Sequence, residues 1–160
     1  MATMAFTGFL VIGVKVEDAL RGEGPAFWKA FSIPIAAGLV VFLGFYIAAL
    51  LNRARPDWHK RLMISAAATV IGAATWRLWV AAFGFHDWAM PAALATTKLF
   101  ILAGMLHDLV MRRGIHPAWW VGLVISSATE AAGLLIVGTP LEPFVAGVIA
   151  SFAVVFGWMY

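Results

Sequence analysis

Long apolar runs separated by short polar breaks set the pattern of this chain. Four of them, Ile33–Leu51, Leu62–Phe85, Pro91–Met111 and Ala118–Val137, are apolar nearly throughout. Each is long enough to cross about 30 Å of hydrocarbon at about 1.5 Å per residue. A fifth run, Leu141–Tyr160, is also apolar along its length. Pro34, Pro56, Pro91, Pro117, Pro140 and Pro143 stand at or near the predicted helix starts, where a missing N–H is tolerated. Gly84, Gly114 and Gly138 stand near predicted ends. The run Phe6–Leu20 differs, because Lys15 interrupts it early. That length suits an interfacial or re-entrant helix better than a span. Arg21-Gly-Glu-Gly-Pro25 then reads as a turn. The pattern predicts an all-α fold, a polytopic transmembrane helix bundle of four to five spans. Residues 1–25 form its N-terminal interfacial segment and residues 26–160 the bundle.

Composition agrees. Of 160 residues, 63% are hydrophobic and 12% charged, against about 25% charged in a soluble domain. The net charge of +3 is small, and the basic residues gather in two short segments. They read as topology signals, not as a nucleic-acid footprint. There is no cysteine, which excludes disulfides, thiolate metal sites and iron–sulfur clusters. Met1–Val14 lacks a basic leader and a small-residue cleavage pattern, so no signal peptide is expected.

The basic segments set an orientation. Asn52–Arg61 carries four Lys or Arg residues, and Arg112 and Arg113 follow the third span. The alternate loops, Gly84–Met90 and Gly138–Pro143, carry Asp87 and Glu142 but no Lys or Arg. Positive-inside logic places the basic loops in the cytoplasm of an inner-membrane protein. Trp28, Trp58, Trp88, Trp119, Trp120 and Trp158 fall near predicted boundaries, as an aromatic belt would.

Ionisable side chains within spans are expensive, so each is a candidate for function. Three are charged: Arg77, Lys98 and Glu130. All three lie about 21–24 Å from the basic end of their helices, at 1.5 Å per residue. At about 100° per residue, Arg77 shares its face with Ala66, Val70, Ala73 and Ala74, and Glu130 with Ser126, Ser127 and Gly133. Small residues admit a neighbouring helix, so an intramembrane Arg77–Glu130 pair is expected. Lys98 shares a bulkier face with Leu94, Leu102, Met105 and Leu109, which reads as lipid-facing. Of four histidines, His86 reads as a loop residue beside Asp87. His59, His107 and His116 lie near the cytoplasmic ends of three different spans on small-residue faces. Two such rings can hold haem b axially, and three suit a divalent metal such as zinc or copper. Asp57 and Asp108 are candidates to orient an imidazole.

Arg53-Ala-Arg-Pro-Asp-Trp-His-Lys-Arg-Leu-Met63 resembles a recurring signature of bacterial multi-pass inner-membrane proteins of uncharacterised activity. In them an Arg-rich turn precedes His-Lys-Arg-Leu-Met and a small-residue helix. His107–Pro117 resembles their second basic turn, and the likeness covers about residues 33–160. His59–Met63 is also loosely similar to small membrane proteins of cytochrome-oxidase assembly, which implies a haem or copper context. The residues themselves carry no phosphate loop, nucleophile elbow or His-Glu-x-x-His helix. Three functions follow as expectations. The first is a non-catalytic subunit or binding module, in a homo-oligomer or with other membrane subunits, surrounded by membrane lipids. The second is a haem- or metal-binding redox protein using His59, His107 and His116. The third is a small proton- or ion-coupled transporter using Arg77 and Glu130.

Overall fold

The computed structural model describes residues 2–23, 27–86 and 88–156. Among these residues six helices follow one another: α1 (Ala2–Arg21), α2 (Phe27–Leu51), α3 (Pro56–Phe83), α4 (Ala89–Arg112), α5 (Pro117–Ile136) and α6 (Glu142–Phe156). No strand occurs among the described residues. Four helices are long and apolar enough to cross a membrane: Phe31–Leu51, Pro56–Phe83, Ala89–Arg112 and Pro117–Ile136. This is the build of a multi-pass integral membrane protein. Its helices turn large apolar side chains outward, with Leu51 80% exposed, Leu78 69% and Leu135 76%. Water would penalise such surfaces and hydrocarbon does not.

The chain forms two compact units. One comprises residues 1–40 and 129–160, and the other residues 41–128, so the boundary runs through α2 and α5. In the first, α1 packs along α6. Ile12, Val16, Ile33, Ala36, Ala146, Ile149 and Ala150 form its buried cluster. The segment expected to lie at the interface is thus a continuous 20-residue helix with an intramolecular partner. Pro34 lies inside α2 and not at its start, because the helix begins at Phe27. Gly133 makes room for it: a Cβ at Gly133 would sit 3.2 Å from the Pro34 Cα. Of the expected fifth span, Glu142–Phe156 is a 15-residue helix. Its last four positions, Trp158 and Tyr160 among them, lie outside the described residues, as do Gly24, Pro25 and Asp87.

In the second unit α3 packs along α4 through small side chains. Ala68, Gly72 and Thr75 of α3 are buried, as are Ala93 and Thr97 of α4. Thr75 Oγ1 donates to the Ala93 carbonyl at 3.1 Å and to the Gly72 carbonyl at 2.9 Å. Trp79 Nε1 donates to Thr96 Oγ1 at 3.0 Å. Close helix approach and shared hydroxyls replace the hydrophobic effect, which lipid cannot supply between helices. Ala68, Ile101, Met105 and Trp119 form the buried cluster near the basic end.

Candidate functional site

The site lies where the two basic turns of the second unit meet. Its first piece is the start of α3. Pro56 takes the first helical position and Asp57 follows in the first turn, where a carboxylate is favoured by the helix dipole. Arg61 comes one turn later, at i+4 from Asp57. Its Nη1 donates to the Asp57 carbonyl at 2.6 Å and to Asp57 Oδ1 at 3.2 Å. The second piece is the last turns of α4, which present Asp108. Arg61 Nε donates to Asp108 Oδ2 at 2.7 Å, and Nη2 to Oδ1 at 2.8 Å. The third piece is the start of α5, where Trp119 Nε1 donates to Asp108 Oδ2 at 2.8 Å.

Arg61 is 1% exposed and Asp108 4%. Two buried charges are tolerable only when each is neutralised and hydrogen-bonded, and both conditions are met. The fork-to-fork geometry suits guanidinium and carboxylate, and ionised hydrogen bonds are the strong kind. A second pair reinforces the end: Arg112 Nη1 lies 3.0 Å from Asp57 Oδ1, and Lys60 Nζ lies 3.2 Å from the same oxygen. The two basic turns are therefore bound to one another at this end.

Two glycines let the helices close on this clamp. A Cβ at Gly104 of α4 would overlap the six-membered ring of Trp119. The indole therefore lies directly against the bare α4 backbone at Gly104, one turn before Asp108. A Cβ at Gly122 of α5 would overlap Ser65 Oγ of α3. Among the described residues, Ser65 Oγ is the one buried side-chain polar atom without a hydrogen-bond partner.

The histidines go to separate uses. His59 Nδ1 donates to the Ala49 carbonyl at 2.8 Å. That carbonyl belongs to the last turn of α2, where no helical N–H remains to bond it. His116 precedes Pro117 and caps α5: the Ala118 N–H donates to His116 Nδ1 at 3.2 Å. The Trp58 ring meets the His116 ring edge-on, 5.2 Å between centroids. Burial, and next the Arg61 charge, push His116 below its ordinary range, against the carboxylates of Asp57 and Asp108. An acceptor role for Nδ1 at a helix N-terminus favours the same neutral form. His107 is exposed, with Nδ1 3.9 Å from Asp108 Oδ1. His86 Nε2 donates to the Phe83 carbonyl at 2.9 Å, and its ring stacks on Trp88 at 5.4 Å. Among the described residues no group of three or more His, Asp or Glu is placed to hold a metal ion. One ring nitrogen of His59 and one of His116 engage helix-end groups, and the His107 ring is exposed.

The three intramembrane charges differ in burial. Arg77 is exposed on α3 in the second unit, whereas Glu130 is buried on α5 in the first. Lys98 is half-buried, with Nζ 3.4 Å from Thr97 Oγ1. On its face Leu102 and Leu109 are exposed while Met105 is buried, so that face is only partly turned outward. The hydropathy pattern places Arg61 in a loop and Asp108 beside an imidazole, whereas the structure joins the two. The available signal was spacing. Asp57 and Arg61 are one helical turn apart, as are Asp108 and Arg112.

No family model matches this chain, and neither a curated protein nor a solved structure shows significant similarity to it.

Proposed function

We propose that this protein is a non-catalytic subunit or binding module of a membrane assembly, seated in a bacterial inner membrane with its basic turns toward the cytoplasm. One observation carries the reading. The most buried charged cluster closes on itself: every nitrogen of Arg61 and both oxygens of Asp108 have partners inside the chain. Groups so engaged have nothing left for a reacting molecule, and catalysis asks for free or strained groups in a cleft. What the clamp does supply is a fixed arrangement of α3, α4 and α5, while the outward faces carry large apolar side chains. A rigid frame with apolar outer walls suits association with lipid and with other membrane helices.

Mild detergent extraction from the native membrane, followed by cross-linking and sizing, tests it. A defined oligomer or a co-purifying membrane protein is the expected result, and a lone monomer overturns the reading. Two further outcomes would replace it. A Soret band in the visible spectrum would favour a haem protein. Proteoliposome flux that Glu130→Gln abolishes would favour a transporter.

A further inference from the structure

The basic end of the second unit carries more positive charge than the chain itself neutralises. Asp57 engages Lys60, Arg61 and Arg112, and Asp108 engages Arg61. Arg53, Arg55 and Arg113 are exposed and form no ion pair among the described residues. They come from two different turns, Arg53 and Arg55 after α2 and Arg113 after α4. The Asp57–Arg112 bond of 3.0 Å holds those turns side by side, so the three guanidiniums sit at one end of one compact unit.

The level of this end is marked by its neighbours. Trp58 lies in the first turn of α3 and Trp120 in the first turn of α5, where Trp120 is 51% exposed. Indoles favour the boundary between hydrocarbon and water. Directly inside lie the apolar spans, with Leu106 and Val124 exposed. Exposed cations just outside an apolar belt meet headgroups before they meet bulk solution. Guanidinium donors are planar, paired and permanently charged, and match phosphate oxygens.

We propose that Arg53, Arg55 and Arg113 form a docking surface for the phosphate headgroups of anionic phospholipids. The clamp beneath contributes by fixing the spacing of the two turns, so the surface is built before lipid arrives. The surface depends on the chain spanning a membrane, but not on its having a protein partner. A failed search for a partner therefore leaves this inference standing, and loss of lipid preference leaves the subunit reading standing.

The test is a titration of the detergent-solubilised full chain with short-chain phosphatidylglycerol, short-chain phosphatidylcholine and inorganic phosphate at low salt. Phosphatidylglycerol should bind at least about tenfold more tightly than phosphatidylcholine, given about 1 kcal/mol per surface cation. Each arginine removed should cost about fivefold on the same basis, and R53Q/R55Q/R113Q on the order of a hundredfold. None of the three makes an ion pair among the described residues, so the triple variant should keep the wild-type unfolding midpoint, measured alongside. Adding salt toward 1 M should erase the preference, since the Debye length falls to about 3 Å. Equal binding of the two lipids overturns the proposal. So does a well-folded triple variant with undiminished preference. Inorganic phosphate binding as tightly as phosphatidylglycerol also overturns it, because the surface would then serve the free anion.

Discussion

Arg61 and Asp108, 47 residues apart in the chain, meet through two parallel bonds of 2.7 and 2.8 Å with almost no exposure to solvent. The pair ties α3 to α4, and through Trp119 it reaches α5. Removing one partner leaves the other as an uncompensated buried charge. Asp108→Asn and Arg61→Met should each destabilise the protein by about 3–5 kcal/mol. The double variant R61M/D108L should cost far less than the sum, since no charge is then stranded. Unfolding in detergent against denaturant measures all three, and simple additivity would refute the clamp.

Gly104 has no side chain because the Trp119 ring occupies that space. Gly104→Ala should push the indole off α4 and lengthen its bond to Asp108, at a cost of about 1–3 kcal/mol for overpacking. In a Trp119→Phe background the same change should cost clearly less, because both the longer ring system and the bond are gone. A double-mutant cycle reads the difference, and equal costs in both backgrounds would count against this packing.

His116 is held below its ordinary value of 6.5, chiefly by burial and next by Arg61. The unfolded chain therefore takes up that proton at a higher pH than the folded one. Stability is then full above about 6.5 and falls as pH drops through the folded value. His116→Asn keeps a side-chain acceptor for the Ala118 N–H but does not titrate. The variant should hold its unfolding midpoint between pH 7.5 and 5 while the wild type declines. Parallel declines would show that other groups set the slope.

Ser65 Oγ is buried against the bare backbone of Gly122 and has no partner among the described residues. A buried hydroxyl without a hydrogen bond bears a desolvation cost of about 1–3 kcal/mol. Ser65→Ala should raise stability by about 1 kcal/mol, part of that cost being offset by lost contact. Gly122→Ala should lower it, since the added methyl meets Ser65. A loss of stability in Ser65→Ala would show that the hydroxyl is bonded after all.

The helices were legible in the sequence to the extent that lipid dictates them. Runs of about 20 apolar residues bounded by proline and glycine admit few alternatives, and the four predicted spans fall on α2, α3, α4 and α5. The start of α3 was misplaced. Hydropathy ends at Leu62, yet the helix continues back to Pro56, because Asp57 and Asp108 neutralise the arginine that seemed to break it. The start of α2 was misplaced for a different reason: Pro34 looked like a beginning, but Gly133 opens a space that accepts it within the helix. The clamp itself was out of reach of periodicity. A pairing across 47 residues depends on which helices adjoin, and a helical wheel reports only one helix at a time. The histidines show how versatile imidazole is. At His59 and His116 it does the work of a helix-end partner, which leaves the same trace in a sequence as a ligand.

The Arg61–Asp108 bond also bears on how the protein is made. When α3 leaves the ribosome, Arg61 has only the half-buried Asp57 one turn before it as a countercharge, because Asp108 is still to be synthesised. Neither helix can bury its inner end on its own without leaving Arg61 or Asp108 short of its buried partner. The smallest piece that lies comfortably in the bilayer is thus a hairpin of two helices. Insertion of this region is expected to proceed in couples, with the earlier helix kept waiting at the translocon for its mate.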